Sequence, residues 1–144
     1  MQAIDSFTDA LTTERRLLDE LIAVMRRQRE AVTHDDLQSV DDSVYATHRV
    51  LLTLSEARRR RRSLNALIGQ REGLRINALE DALGERMTPA LRIARDELQN
   101  AASALAHEVE LNRRLLRAVL ARSGGHVSDP EWLKAMSAPR PVAP

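Results

Sequence analysis

Apolar residues recur along the opening of the chain at intervals that only a helix brings onto one face. Ile4, Leu11, Leu18, Met25 and Val32 stand seven apart, with Phe7, Glu14, Leu21 and Gln28 as the interleaved series. This is a heptad with apolar a positions and half-polar d positions. Leu17, Ile22 and Val24 lie beside the seam and widen it. A stripe that wide suits a bundle better than a two-stranded coil. The pattern predicts a first helix over residues 4–32.

Thr33, His34, Asp35 and Asp36 interrupt the pattern. Asp35 is the expected cap of a second helix, and Asp36 adds a favourable charge to its first turn. That helix is predicted over residues 36–68, with Gly69 as its stop. Its series are Leu37, Val44, Leu51 and Val40, Thr47, Leu54. The stripe weakens at residues 58–62, all Arg, and resumes with Leu64, Leu67 and Ile68. Each helix is roughly 45–50 Å long at 1.5 Å per residue. So short a turn leaves the two as antiparallel neighbours.

Residues 70–87 are less regular, with Gly69, Gly73 and Gly84 as punctuation. Asn77 is the expected cap of a short helix carrying Leu79, Ala82 and Leu83. Thr88-Pro89 then reads as an N-cap followed by the first helical residue. The last long helix is predicted over residues 89–122, with Leu91, Leu98, Leu105, Asn112 and Val119 along its seam. Its Ala-rich middle invites close approach by a partner helix. Ser123-Gly124-Gly125 ends it, Ser128-Asp129-Pro130 starts a short amphipathic piece, and Pro139, Pro141 and Pro144 preclude further helix. The expected fold is all-α: an elongated antiparallel helical hairpin or bundle with coiled-coil-like packing, three long helices and one short connecting helix. Residues 1–122 would form the bundle, and residues 123–144 a flexible tail with the short helix.

Composition supports this. Among 144 residues the aromatics are Phe7, Tyr45 and Trp132 alone, which favours long helices over a compact mixed fold. The net charge of +1 argues against a dedicated polyanion binder. Its distribution is uneven: residues 1–57 sum to −5, residues 58–75 to +6, and the remainder to zero. There is no Cys, hence no disulfide and no thiolate site. Asp5 and Asp9 stand where a secretory signal needs positive charge, and no apolar run approaches the roughly 20 residues of a membrane span. A cytoplasmic protein without stable membrane insertion is expected.

Catalytic and metal chemistry find no footing. His34, His48, His107 and His126 lack the Glu-x-x-His spacing that puts two ligands on one helix face, and His107-Glu108 is followed by Leu111 where a zinc-protease helix needs His. No phosphate-cradling loop or nucleophile elbow is present. No enzyme activity, cofactor or metal is expected. The Arg run could neutralise phosphates. Five successive helical residues spread around more than one turn, however, and no aromatics interleave with them, so nucleic acid is not expected as a partner.

Two stretches resemble the FlgN-type flagellar export chaperones. The first is the opening hairpin: Leu17-Leu18-Asp19-Glu20-Leu21 through Arg29-Glu30-Ala31-Val32, the turn His34-Asp35-Asp36, then Leu51-Leu52-Thr53-Leu54, the Arg run and Leu64-Asn65-Ala66-Leu67-Ile68-Gly69. The second, Glu110-Leu111-Asn112-Arg113-Arg114-Leu115-Leu116, is similar to that family's last-helix signature Asn-x-x-Leu-Leu, with Val109 where a second Asn often stands. The resemblance implies a cytoplasmic chaperone that binds hook–filament junction proteins on its C-terminal half and delivers them to the export apparatus. It places the protein-binding face at Asn112, Leu115, Leu116, Val119 and Leu120.

Two readings of particular residues stay open. Asn112 is either a register-setting residue inside the bundle or a hydrogen-bonding site for a partner's backbone. Trp132, Leu133 and Met136 form a small apolar face on a segment too short to hold as a helix alone. That face either caps its own bundle or hooks onto the export machinery. The alternative to a chaperone is a structural coiled-coil adaptor that self-associates. The chain is expected to be a monomer or a homodimer.

Overall fold

A computed structural model describes residues 2–68 and 76–122, apart from the Asn77 side chain. The order is α1 (Gln2–Thr33), α2 (Leu37–Leu67), a 3-10 turn (Ile76–Ala78), α3 (Leu79–Leu83), a second 3-10 turn (Gly84–Arg86) and α4 (Pro89–Arg122). No strand occurs among the described residues. The fold is the expected all-α bundle.

α1 is the spine. Both of its heptad series are buried, the polar Glu14 and Gln28 included; Val32 alone is half-exposed. Ile22, Val24, Ala10 and Ala31 are buried too, because α1 is covered on two sides. α2 packs along it antiparallel, with Arg61 against Glu14. α4 packs along it in parallel: Glu97 meets Arg15, Glu108 meets Arg26, and Asn112 meets Gln28. Among the described residues α2 and α4 approach each other at most in passing. The path is up, down and up, and both flanking helices depend on α1.

The hairpin turn differs from expectation by one residue. Asp35 does not cap α2; it adopts φ 55°, the left-handed conformation that closes α1. Asp36 N–H donates to Ala31 O at 2.9 Å and Asp35 N–H to Val32 O at 3.3 Å, the paired bonds of a Schellman ending. Asp36 then serves as the N-cap of α2, accepting from Ser39 N–H at 3.1 Å. These bonds hold its carboxyl below the usual carboxylate range; the Ser39 hydroxyl contributes most, then the Ser39 amide.

The seam of α2 is also rotated from the one expected. Thr47 and Leu54 of the expected series are buried, but Leu37 and Leu67 are exposed, and Ser43, Val50, Arg61 and Asn65 face inward instead. Ser43 and Thr47 satisfy their hydroxyls on their own helix, donating to Val40 O and Ser43 O. At the far end Arg86 donates to Ile68 O at 2.9 Å, capping a terminal carbonyl of α2. Gly69, the expected stop, lies outside the described residues.

The N-cap position of the short helix α3 is Ala78; the side chain of Asn77, expected to supply a cap, lies outside what is described. Leu79, Leu83 and Met87 join the core. Glu80 is tied to α4 by Arg92 and Arg95. Their hydrogen bonds, first from Arg95 and then from Arg92, hold its carboxyl low. Thr88 Oγ1 accepts from Leu91 N–H at 3.1 Å, so α4 starts at the expected cap.

Candidate partner-binding surface

Two polar d positions of α1 decide how the flanking helices sit, and each addresses a different neighbour. Glu14 faces α2: Arg61 Nε stands 2.6 Å from its carboxylate and Arg58 Nε 3.9 Å. Gln28 faces α4: its Oε1 accepts from Asn112 Nδ2 at 3.2 Å. The same Asn112 amide donates to Met25 O at 2.8 Å, and its Oδ1 accepts from Arg29 at 2.9 Å. Beside it Glu108, nearly buried, takes Arg26 at 3.0 Å and Arg29 at 2.6 Å. Burial pushes the Glu108 carboxyl up; the hydrogen bonds and charges of Arg29 and Arg26 outweigh that and hold it below the usual range.

Asn112 is therefore engaged within the bundle on both its donor and acceptor sides. The other α4 residues of the expected face, Leu115, Leu116, Val119 and Leu120, are half-buried. Leu116 packs against the core. The pairing of Arg26 with Glu108 and Gln28 with Asn112 brings the end of α1 opposite Leu116. Val119 and Leu120 thus lie on the part of α4 that outruns α1, a stretch of roughly 9 Å. Ala94 and Ala101, expected to admit a partner helix, are buried in the interface with α1. Trp132, Leu133 and Met136 lie outside the described residues.

The Arg run divides. Arg61 turns inward, Arg58 is half-buried, and Arg59, Arg60 and Arg62 are exposed on different sides of α2. A signal for the inward one existed: Thr47, Leu54 and Arg61 are seven apart, and Ile68 follows at the same interval. A cavity of about 630 Å³ opens between the end of α1 and the start of α2. Arg27, Glu30, His34, Asp36 and Asp42 line it. Ala31 and Ala46 line it too; it belongs to the hairpin and does not include the apolar end of α4. Among the described residues no group of His, Cys, Asp and Glu could hold a metal ion, and no helix is long and apolar enough to cross a membrane.

A family model described as FlgN protein matches residues 1–127. The chain belongs to the FlgN family. That match takes in all three long helices and the hairpin turn. No curated protein and no solved structure matches the chain significantly. FlgN proteins are flagellar export chaperones, so the general work of this chain is flagellum biogenesis through binding of flagellar subunits.

Proposed function

We propose that this FlgN-family chain works in the cytoplasm by binding alone, without catalysis. Its cargo would be the late axial subunits, the hook–filament junction proteins, which it delivers to the type III export gate. The bundle, residues 1–122, would hold a helical terminal segment of the cargo, and residues 123–144 would form a separate tail that meets the export machinery through Trp132, Leu133 and Met136. The observation that carries the cargo reading is the end of α4. Leu115 and Leu116 at the end of α1, and Val119 and Leu120 beyond it, form a cluster of four half-buried apolar side chains. An amphipathic helix can lay its apolar face against such a cluster. Asn112 belongs to this reading as the residue that holds α4 in register beneath the cluster.

The test is titration of the full chain with a terminal peptide of a junction protein. Val119→Glu and Leu120→Glu, both beyond the end of α1, are expected to weaken binding at least tenfold while circular dichroism stays unchanged. Leu116→Glu is expected to weaken binding and to lower stability as well, because Leu116 also packs on the core. Unchanged affinity in the Val119 and Leu120 variants would remove the cargo site from this end of α4.

A further inference from the structure

α2 carries its exposed apolar side chains on the face opposite its buried one. Leu37 is 78% exposed, Tyr45 68%, Leu52 71% and Leu67 72%. At 3.6 residues per turn these four fall within about a third of the helix circumference. The buried Ser43, Thr47, Val50, Leu54, Arg61 and Asn65 lie diametrically across. So α2 spends a largely polar face on α1 and leaves a stripe of three Leu and a Tyr in solvent. Isolated exposed apolar residues are ordinary, but an aligned series along a whole helix marks a contact surface.

We propose that this stripe is the interface between two copies of the chain, paired through α2 in antiparallel orientation with Leu52 on the two-fold axis. Charge selects the occupant and the orientation. The first part of α2 and its cap carry Asp36, Asp41 and Asp42; the last part carries the Arg run at 58–62. Parallel pairing would set acid on acid and Arg on Arg. Antiparallel pairing sets each acidic end against the basic end of the other copy.

The register that puts Leu52 against its own copy satisfies the other exposed positions as well. Leu37 then lies level with Leu67 of the second copy, across the seam, at either end of it. Tyr45 packs beside Arg59 of the second copy, an arrangement suited to a cation–π contact. Along one flank Arg49 meets Glu56, and Asp42 meets Arg60. All of these residues are exposed in the single chain. The face points away from α1, and α4 does not cover it. A seam ~45 Å long and one helix wide, about 10 Å, offers roughly 450 Å² per copy. That is below the usual area of a permanent dimer, so a weak, concentration-dependent association is the outcome this surface supports.

The experiment is sedimentation of the full chain across about 1–100 μM, the range in which a weak dimer populates. The mass is expected to rise from monomer toward dimer. Leu52→Glu, which sets two carboxylates face to face on the axis, is expected to weaken association at least tenfold with helicity unchanged. The chain has no Cys, so single cysteines report the register even if Leu52→Glu fails to fold. Leu52→Cys should oxidise to a disulfide dimer, since its two copies coincide. Leu37→Cys alone should not, because its two copies lie ~45 Å apart, far beyond disulfide reach. A monomeric mass throughout, association undisturbed by a folded Leu52→Glu, or crosslinking through Leu37→Cys as ready as through Leu52→Cys would each overturn the proposal. Monomeric protein whose Leu52→Glu variant loses a flagellar-subunit peptide would instead give the stripe to cargo.

Discussion

Glu14 and Arg61 show how a polar residue can specify a helical bundle. Both side chains are nearly buried and 2.6 Å apart, with Arg58 behind them. Removing one partner of a buried ion pair strands the other charge, so Glu14→Ala is expected to cost about 3 kcal/mol. Replacing both, as Glu14→Leu with Arg61→Met, is expected to recover most of that loss, because apolar residues of similar volume avoid the desolvation penalty altogether. Urea denaturation of the three proteins decides it, and equal stability of Glu14→Ala and wild type would show that the pair contributes nothing. Glu108 makes a pH-dependent contribution. Its carboxyl is held below the ordinary glutamate value of 4.5 despite burial, because Arg29 and Arg26 stabilise the charged form. A depressed carboxyl stabilises the fold above the unfolded value, and that contribution is lost as pH falls through the folded value. Glu108→Gln should therefore melt lower than wild type near neutral pH, with the gap closing as the medium is acidified below the ordinary glutamate value. A gap that stays constant through the acid range would assign the loss to geometry instead of charge.

The three long helices share a length and differ in how they are held. α1 is covered on two sides and buries Leu, Ile, Met and Phe along both series. Among the described residues α2 is held chiefly by α1, and it buries Ser43, Thr47, Arg61 and Asn65 among its few apolar contacts. Local opening follows the number of buried apolar contacts. Amide hydrogen exchange of the dilute protein is therefore expected to be slowest in α1, with the middle of α2 exchanging at least tenfold faster than the middle of α1. Equal protection in the two would mean that the hairpin opens only as a unit. The same contrast accounts for the shifted seam of α2. With Ser43 and Val50 turned inward, Leu37 is turned out to solvent and Val44 and Leu51 sit at the edge of the contact.

Across the described residues, α4 runs parallel to α1 and brings its last turns to the hairpin end, beside the proposed cargo cluster. The tail hypothesis belongs at this scale. Trp132 is the only Trp, so intrinsic fluorescence reads its surroundings directly. A hook reserved for the export machinery predicts red, readily quenched emission in the free protein. It also predicts that Trp132→Ala leaves junction-peptide affinity and melting temperature within error of wild type while lowering export. Blue, protected emission would place Trp132 against its own bundle and end the hook reading.

What the sequence determined by itself was periodic or local. The α1 heptad, the Thr88 cap and the α4 seam from Leu91 to Asn112 all act through neighbours a few residues away, and they appear in the structure where the pattern put them. Boundaries at the hairpin moved by one residue because Asp35 and Asp36 are equally good caps. Only the backbone bonds to Ala31 and Val32 assign the left-handed position to the first and the cap to the second. What the tertiary structure decided was pairing. A heptad says that a face is buried but not by which helix, and a charged d position does not name its counter-charge. That Glu14 answers to Arg61 and Gln28 to Asn112, and that Leu37, Tyr45, Leu52 and Leu67 end up on the outer face of α2, depends on how three helices divide the surface of α1. Such a division is settled by packing and desolvation between residues distant in the chain, and no local pattern encodes it.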